Sequence, residues 1–342
     1  MSNSRISQHS VLDLARLECS GFVKAARAEG RTQRLSGWAD GIEVLRVGPI
    51  IYLPEFGISI VDGSCPEECI GYPAHLDMRL GIDRTNLDSP PKRIFELESS
   101  QWRDEEVAIL GNPFSHVFGH WIEELFKVII LESVGFSGRY VLPSWYSSNY
   151  IESLELLNIQ NDRICKTDRP TTFRNGILTT NLILPKIDKY PGVAVRLREL
   201  LFDAIGETTG GPERLWAVRG SSANGRKLIN EEEIEDRARH YGFEIVDYAT
   251  LSFRDQIALD RGAKVLAGPH GSALLHSAFL PDRSTLMELH SPNYVNTSII
   301  FCCIFRHRYF QLVGFHTPGY PYAYGQDINI DMRHLDLAMS SL

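Results

Sequence analysis

Apolar and polar positions alternate in short blocks through the second half of the chain, from about residue 214 onward. Blocks rich in β-branched and apolar residues predict strands, and the amphipathic blocks between them predict helices. The predicted strands are 215–218, 243–246, 264–267 and 285–289, and the predicted helices are 231–241, 253–261 and 272–279. A βαβαβαβ series with short loops is typical of a parallel, doubly wound sheet and indicates the α/β class.

Two of these helices carry start signals in the sequence. Asn230 stands where it could cap the first helix, with Glu233 closing a capping box and Ile229 and Ile234 forming a hydrophobic staple. Ser252 precedes the second helix in the same way, with an acidic residue three positions later. The pattern therefore predicts both helix starts as well as both helices.

The first half has a less regular pattern that also indicates an α/β fold. Its predicted elements are one or two strands within 42–53, loops or a small subdomain at 57–73, a strand at 107–110, a helix at 121–132, a strand at 140–142, a helix at 151–157 and one or two strands within 176–184. A linker at about 190–211, with a helix-like segment, separates the halves. We divide the chain into domains at 1–190 and 191–315 and a tail at 316–342, which could pack back on the N-terminal domain.

Length and composition agree with two folded domains. The chain has 342 residues, of which 43% are hydrophobic and 23% are charged, so wholesale disorder is excluded. Lys and Arg number 35 against 43 Asp and Glu, which gives a formal net charge of −8. Such a molecule as a whole repels nucleic acid, and we expect no nucleic-acid partner. An anionic ligand would have to bind at a local site.

The six cysteines do not form a recognisable framework. Cys65 and Cys69 are spaced as C-x-x-x-C, and no paired C-x-x-C zinc signature exists. We expect reduced and mostly buried thiols. No stretch approaches the ~18 apolar residues that span a bilayer, and the first residues have no apolar signal region, so the expected compartment is the cytoplasm. Peripheral membrane association and the oligomeric state stay open.

The segment GPHGSALLH begins at Gly268, between a predicted strand and a predicted helix. At that place in a doubly wound sheet, glycine lets backbone approach a ligand and helix N-terminal N–H groups face anions. Gly268, His270, Gly271 and Ser272 are therefore candidates for binding a diphosphate. The segment lacks the G-x-G-x-x-G spacing and a Walker lysine, which argues against a dinucleotide or P-loop site. The simpler interpretation is a tight glycine turn with a hydrogen-bonded His270.

A basic run lies just before it in the chain. The segment PERLWAVRGSSANGRK, residues 212–227, contains four basic residues and one acid in a chain that is acidic overall. Arg219 directly follows a predicted strand, at the sheet edge where the glycine segment should also lie, and Arg226 follows a Gly/Ser/Asn-rich loop. Guanidinium groups bind phosphate with two parallel hydrogen bonds. An ordinary solvated basic loop is the alternative.

The first half contains a third candidate, HVFGHWIEE, at a predicted strand-to-helix turn. Glu123 and Glu124 stand three and four positions after His120, so either carboxylate could lie beside the imidazole on one helix face. That pairing would suit a general base. In the alternative, His120 only supports the turn. The pair His116 and His120 also leaves open a metal-dependent hydrolase, although the order of residues matches neither H-E-x-x-H nor H-x-x-E-H.

Residues from about 107 to 290 resemble glycosyltransferase family 61. The resemblance rests on the strand ending in Arg219, Arg226 ahead of Asn230 and Glu231, the GFEIV segment, Leu251-Ser252 with Gln256, Gly-Pro-His-Gly, and FGHWIEELFKV upstream. The family includes plant xylan-decorating transferases, animal O-linked N-acetylglucosaminyltransferases and bacterial proteins of capsular polysaccharide synthesis. The first hundred residues and the tail after Phe315 are not covered. The family often has Gly or Ala where this chain has Ser272, which could bind phosphate or cap the helix.

The resemblance implies a GT-B architecture, in which two Rossmann-like domains face each other across a cleft and the C-terminal one holds a sugar nucleotide. It implies inversion at the anomeric centre with no metal and no cofactor, and the sequence contains no Asp-x-Asp motif. Arg219, Arg226 and the helix start at Gly271 would then stabilise the leaving diphosphate, and Glu288 would bind ribose hydroxyls.

Our hypothesis is transfer from a nucleoside diphosphate sugar to a hydroxyl of a glycan or glycolipid acceptor, in surface or capsular polysaccharide synthesis. His120, assisted by Glu124 or Glu123, would remove the acceptor proton. Two alternatives stay open, namely the metal-dependent hydrolase and a non-catalytic glycan-assembly protein.

Overall fold

The computed structural model describes residues 9–13, 18–70, 94–98, 102–112, 114–115, 118–208, 210–219, 228–292, 298–316 and 327–342. Two units follow one another along the chain, unit 1 at Met1–Lys186 and unit 2 at Ile187–Leu342. From the sequence, the domain boundary is expected at 190/191 with a separate tail at 316–342, and that domain assignment stays a prediction. Both units combine helices with sheets that contain parallel strands, which agrees with the predicted α/β class.

Unit 1 is built on a mixed sheet with a parallel central part. The strands of unit 1, in this sheet and in two smaller ones, are β1 (His9–Asp13), β2 (Cys19–Ser20), β3 (Gln33–Arg34), β4 (Glu43–Val47), β5 (Ile50–Leu53), β6 (Ile58–Val61), β7 (Cys65–Pro66), β8 (Ile94–Glu98), β9 (Trp102–Ile109), β10 (Arg139–Pro143), β11 (Ile164–Thr167) and β12 (Thr171–Thr179). In the mixed sheet the strand order is β11-β10-β9-β12-β4-β3, and β5 pairs with both β12 and β6. From β11 to β12 all neighbouring strands are parallel.

The helices of unit 1 are α1 (Phe22–Ala28), α2 (Glu67–Ile70), α3 (Phe118–Ser133), α4 (Ser148–Leu156) and α5 (Leu184–Ile187), which ends at the boundary. Short 3₁₀ turns lie at Gly37–Ala39 and Asn161–Arg163. Helix α3 is buried on nearly all sides, with Trp121 and Phe126 fully enclosed. The indole of Trp121 donates to the Ser153 hydroxyl at 2.8 Å and joins α3 to α4.

One prediction for unit 1 needs correction in detail. The segment 57–73 was predicted as loops or a small subdomain, but it contains a regular, fully buried strand, β6, which pairs antiparallel with β5. Its four residues are all buried, and Ile58 and Ile60 belong to the apolar cluster that contains Phe56 and Ile70. The sequence concealed this strand because Gly and Pro flank it closely. Pro73 itself lies outside the described residues.

Unit 2 contains the parallel sheet that the sequence predicted. Its five strands are β13 (Arg214–Ala217), β14 (Glu244–Val246), β15 (Val265–Pro269), β16 (Thr285–His290) and β17 (Arg308–Val313), in the order β14-β13-β15-β16-β17. Every neighbouring pair is parallel. Two further short strands, β18 (Phe315–His316) and β19 (Ile328–Asn329), pair antiparallel.

Helices of unit 2 are α6 (Pro191–Ile205), α7 (Glu231–His240), α8 (Phe253–Gly262), α9 (Ile299–Phe305) and α10 (Met332–Ser340), with a 3₁₀ turn at Tyr248–Thr250. The segment Ser272–Phe279 was predicted as a helix and forms a 3₁₀ helix. Side chains alternate between the two faces of the strands, so Leu215 and Trp216 enter different apolar clusters. Each cluster also contains residues of helical segments, so helical segments pack on both faces of the sheet.

One of the two predicted helix caps is present. Ser252 accepts a hydrogen bond from the Asp255 amide at 3.1 Å and so caps α8 as predicted. The predicted capping box at α7 is wrong, because the Asn230 side chain makes no cap bond. Its amide instead donates to the Ile330 carbonyl at 2.9 Å and accepts from the Ile330 amide at 3.1 Å. The staple is also absent, since Ile229 is 56% exposed.

The described part of the tail, 327–342, packs within unit 2. Ile328, Ile330, Leu335 and Met339 belong to the apolar cluster that contains Trp216 and Ile234. Asp331 caps helix α10 by accepting from the Arg333 amide at 2.9 Å. The tail therefore supplies part of the core of unit 2. Contact of the tail with the N-terminal domain stays a prediction.

Two whole-chain expectations concern cysteines and membranes. All six cysteines lie among the described residues, four of them buried, and none is in a disulfide. In the part of the chain that the structure describes, every helix is too short or too polar to cross a bilayer.

Candidate functional site

The strand order of unit 2 defines where a ligand would bind. The chain leaves β13 toward β14 on one side and leaves β15 toward β16 on the other, so β13 and β15 are neighbours at a topological switch point. In open α/β sheets, ligands bind outside the carboxyl ends of the strands at such a point. Arg219 follows β13 by two residues, and the segment from Gly268 to Ser272 lies at the end of β15. The two candidate segments therefore meet at this edge.

Gly268 is required by the backbone at the end of β15. Its φ is +157°, and a Cβ atom there would lie 2.4 Å from the Ala217 carbonyl oxygen of β13. Gly271 allows a second close approach, since its Cβ would lie 3.0 Å from Nη1 of Arg219. That Nη1 donates a hydrogen bond to the carbonyl of His270. The guanidinium is thus held against the glycine segment.

His270 lies in a network that the sequence did not predict. Its Nδ1 contacts a carboxylate oxygen of Glu288, and the other carboxylate oxygen accepts from the Tyr309 hydroxyl at 2.8 Å. Glu288 is completely buried on β16, and Tyr309 lies on the neighbouring β17. The contacts of Glu288 thus orient His270, and its expected role toward ribose stays a prediction. The signal that could have indicated the contact of His270 with Glu288 is the register of β15 and β16, which places Gly268 opposite Glu288.

The same edge offers a set of metal-ligand types. Ligand atoms of His270, Glu288 and His290 lie within 4.8 Å of one another. Glu288 and His290 are two residues apart on β16 and so point to one face of the sheet. Nδ1 of His290 faces the Ser291 carbonyl, the arrangement in which Nε2 carries the lone pair. Two imidazoles and a carboxylate are ligands that zinc accepts, so this set could hold such an ion.

Among the other residues predicted to bind the sugar nucleotide, Ser272 is the first residue of the 3₁₀ helix Ser272–Phe279, directly after its N-cap Gly271. The helix follows Gly271, whose extended backbone turns the chain from the strand into the helix. Arg226 lies outside the described residues.

In unit 1, the candidate segment follows β9, which lies between the parallel strands β10 and β12. The chain after β9 leads into α3, which begins at Phe118 and carries His120. Nδ1 of His120 lies 3.2 Å from an oxygen of Glu123, whose other oxygen accepts from the Leu184 amide at 2.7 Å. Leu184 follows β12, so segments from both strands position this carboxylate. His120 keeps about a third of its side chain exposed, as a base that meets substrate requires. His116 lies outside the described residues.

Glu124 has different partners from those predicted. Its carboxylate accepts from Nζ of Lys127 at 2.7 Å and from the amide of Asn112 at 2.9 Å. Lys127 also donates to the Ile109 carbonyl at the end of β9, at 3.0 Å. Burial raises the pKa of Glu124, against the effect of Lys127. Burial lowers the pKa of Lys127, but Glu124, Cys69 and Glu123 together raise it by more, and the net shift is upward. Glu124 therefore holds the turn, and Glu123 is the carboxylate beside His120.

A family model matches residues 118–287, about half of the chain, and its description is glycosyltransferase 61. The matched range runs from the start of α3 to the middle of β16 and contains His120, Arg219 and the glycine segment. This chain belongs to glycosyltransferase family 61. The match ends one residue before Glu288.

Curated relatives resemble shorter segments of this family 61 chain. An EGF domain-specific O-linked N-acetylglucosamine transferase of Drosophila melanogaster is 33% identical over 69 residues, which are 19% of this chain and 13% of that protein. The Bos taurus protein of the same name is 31% identical over 87 residues, 24% of this chain and 16% of the relative. The matches thus span less than a fifth of the length of these relatives.

Within the matched range, the family 61 chain has one further polar cluster that the sequence analysis missed. Asp260 of α8 is fully buried, accepts from the Tyr248 hydroxyl and lies 2.6 Å from Nδ1 of His276. The His276 ring stacks on Tyr248 at 4.2 Å. Burial raises the pKa of Asp260, against the effect of His276. Because all three side chains are enclosed, we assign the cluster to support of the sheet edge rather than to ligand binding.

Proposed function

We propose that this chain is a glycosyltransferase that moves a sugar from a nucleoside diphosphate sugar to a hydroxyl of a glycan acceptor. The observation that carries the proposal is the meeting of Arg219, Gly268 and His270 at the switch point of unit 2. Inversion without a metal, a GT-B arrangement and a role in surface or capsular polysaccharide synthesis follow from the family resemblance and stay predictions. A cytoplasmic location is expected from the hydropathy pattern of the sequence and also stays a prediction.

Unit 2 supplies the donor site in this proposal. The leaving diphosphate carries negative charge, and Arg219, Arg226 and the backbone amides after Gly271 supply hydrogen-bond donors for it. Glycine at 268 and 271 lets the backbone of this segment pack closely against Ala217 and Arg219, which brings its amides beside the guanidinium. Ser272 adds a hydroxyl at the same place. An acidic chain with a net charge of −8 needs such a local site to bind a diphosphate at all.

Unit 1 supplies the base. The acceptor oxygen attacks C1 of the donor sugar, and the bond between C1 and the phosphate oxygen breaks with its electron pair leaving on the diphosphate. Nε2 of His120 takes the hydroxyl proton, while Glu123 holds Nδ1 and stabilises the imidazolium that forms. Glu124 acts indirectly by fixing the turn that presents His120.

A thermal-shift screen with uridine, guanosine and cytidine diphosphates tests the donor site. A ligand present at 100 times its Kd stabilises the native state by about 2.7 kcal/mol, so at least one nucleotide should raise the Tm clearly. Arg219→Ala should weaken binding of that nucleotide by about tenfold to a hundredfold, since a hydrogen bond to a charged group contributes about 1.5–3 kcal/mol. The control is Arg239→Ala, which removes an exposed arginine that pairs with Glu235 on α7.

No shift with any of the three nucleotides would favour the non-catalytic glycan-assembly protein over the transferase. An affinity unchanged in Arg219→Ala would remove Arg219 from the diphosphate site. Elemental analysis of the purified, untagged chain separates the transferase from the metal-dependent hydrolase proposed for His116 and His120. If a metal is found and is lost in His290→Ala, its site would instead be the one formed by His270, Glu288 and His290.

A further inference from the structure

Three cysteines of unit 1 lie close together, far along the chain from the proposed catalytic residues. Strands β2 and β7 pair in parallel, and the register places Cys19 directly opposite Cys65. The Cys65 amide donates to the Glu18 carbonyl at 2.8 Å, which fixes that register. The two thiols are close enough for Cys19 to raise the pKa of Cys65. Cys69 follows on α2 and is buried.

The segment that carries Cys19 is held in place by a second contact. The Val23 amide, at the start of α1, donates to the Glu68 carboxylate of α2 at 2.9 Å. Cys19 and Cys65 therefore face each other between two anchored segments, and neither needs a large backbone movement to reach the other. Neighbouring strands lie about 4.7–4.9 Å apart, and disulfides span Cα atoms about 4.4–6.8 Å apart, so the pairing of Cys19 with Cys65 suits a disulfide.

We propose that Cys19 and Cys65 are a site of thiol oxidation, at which a small-molecule disulfide such as oxidised glutathione converts the pair into an intramolecular disulfide. This proposal does not depend on the transferase activity. It concerns a covalent link between β2 and β7, which would fasten the segment of α1 to the body of unit 1.

The exposure of the two sulfurs sets the order of the steps. Cys19 is partly exposed, so its thiolate attacks the oxidant first, which gives a mixed disulfide and releases one glutathione thiol. Cys65 is fully buried; it then loses its proton and attacks the Cys19 sulfur, which forms the internal disulfide and releases the second glutathione thiol. Two protein thiols are oxidised and one glutathione disulfide is reduced, so atoms and electrons balance.

The second step should be the slow one. In the reduced chain, the hydrogen bond with Cys19 and then burial raise the pKa of the Cys65 thiol, and the burial persists when Cys19 carries glutathione. Little thiolate is present at neutral pH, and the mixed disulfide on Cys19 should accumulate before it closes. Closure should accelerate as the pH rises from 7 to 9.

Exposed Cys303 provides a matched comparison. It lies on α9 beside buried Cys302 in the sequence, and we expect it to take up glutathione without forming an internal link. Cys303→Ser removes that reaction and leaves the pair at Cys19 and Cys65 intact. Cys19→Ser removes the proposed first nucleophile with a change of one atom.

The experiment oxidises the full chain with graded glutathione ratios, blocks remaining thiols with N-ethylmaleimide and maps peptides without reduction. Digestion with trypsin and a glutamate-specific protease cuts after Glu67 or Glu68 and so separates Cys65 from Cys69. We expect a linked peptide pair that contains Cys19 and Cys65, in the native chain and in Cys303→Ser. Cys19→Ser should give no linked pair. The linked form should unfold at a Tm several degrees higher, because the link closes a loop of roughly 45 residues.

A chain that carries glutathione on Cys19 at every pH, with no linked peptide, would overturn the proposal. So would a link between Cys65 and Cys69, or the same linked yield in Cys19→Ser. Circular dichroism of Cys19→Ser shows whether the variant is folded. If it is not, the digest of Cys303→Ser alone still decides which sulfurs are joined.

Discussion

Two neighbouring carboxylates on helix α3 have different surroundings, although the sequence offered them as equivalent partners of His120. Glu123 accepts a hydrogen bond from a backbone amide and contacts the imidazole. Glu124 instead accepts hydrogen bonds from Lys127 and Asn112. A carboxylate that already holds a buried ammonium group cannot leave it for another partner without exposing an unpaired charge, which costs several kcal/mol. The division of roles between adjacent residues follows from this difference.

His120→Ala should lower kcat for sugar transfer by more than tenfold, with little change in the Kd for the donor nucleotide. Glu123→Gln should lower kcat by a smaller factor, because the amide still contacts the imidazole but no longer stabilises its cation. Initial rates with a panel of sugar nucleotides measure both, and His240→Ala, at an exposed histidine of α7, is the control. Activity that survives His120→Ala within tenfold would remove this residue from the role of base.

Gly268→Ala should destabilise unit 2 and weaken donor binding together. The added methyl group meets the Ala217 carbonyl of β13 at 2.4 Å, and the φ of +157° is strained for any L side chain. Unusual backbone angles of this kind cost about 1–3 kcal/mol even before the clash is counted. Gly211→Ala is the matched control, since its Cβ would meet no atom within 4 Å. Equal Tm values for the two variants would contradict the argument.

At the scale of elements, periodicity predicted what depends on local pattern. Strands β13, β15 and β16 and helices α7 and α8 lie within a few residues of their predicted ranges, because apolar alternation and helical spacing are properties of short segments. The same spacing does not distinguish an α-helix from a 3₁₀ helix, and Ser272–Phe279 is the latter. Asparagine is a common N-cap residue, but the Asn230 side chain accepts a hydrogen bond from the Ile330 amide, just after β19, and does not cap α7.

The candidate site was predictable to the extent that it follows from strand ends. Arg219 and Gly268 follow directly from the edge of a parallel sheet, because carboxyl ends of neighbouring strands meet there. The partners of His270 could not be read in the same way, since Tyr309 comes from a strand that only the register brings beside Glu288. The ion pair of Glu124 and Lys127 was hidden because charged residues at helical spacing usually indicate a solvated face.

Strand β17 begins beside a histidine that should make stability depend on pH. Burial lowers the pKa of His307, whose Nε2 donates to the Ser277 carbonyl at 2.9 Å; Arg198 lowers the pKa further and Asp282 raises it. The unfolded chain binds the proton near pH 6.5, and the native chain binds it only at lower pH. Stability is therefore lost as the pH falls below 6.5 toward the native pKa.

His307→Gln tests this dependence, because glutamine can donate to Ser277 and does not titrate. The native chain should lose more Tm between pH 7.5 and 5.5 than the variant, while groups elsewhere contribute equally to both. Thermal unfolding followed by circular dichroism at these two pH values gives the comparison. Parallel Tm losses in the two proteins would show that His307 does not contribute.

At the scale of the whole molecule, each unit completes its fold with segments that are distant in sequence. In unit 2 the last residues of the chain cover the sheet face that α7 covers, and they enter the cluster around Trp216. The proposed donor site lies at the edge of that same sheet. The tail is therefore part of the structure that positions Arg219 and Gly268, although it lies outside the range matched by the family model.

Two leucines of α10 allow a test of whether the packing of the tail on unit 2 stabilises that unit. Leu335 is fully buried against unit 2, whereas Leu337 is 69% exposed. Leu335→Ala should lower the free energy of unfolding by about 2–5 kcal/mol, as buried leucine truncations do, and Leu337→Ala should change it by about 0.5 kcal/mol or less. Urea unfolding of both variants measures the difference. Because the same sheet carries the donor site, Leu335→Ala should also reduce nucleotide-induced stabilisation near its Tm, and equal effects of the two substitutions would contradict the packing of α10 on unit 2.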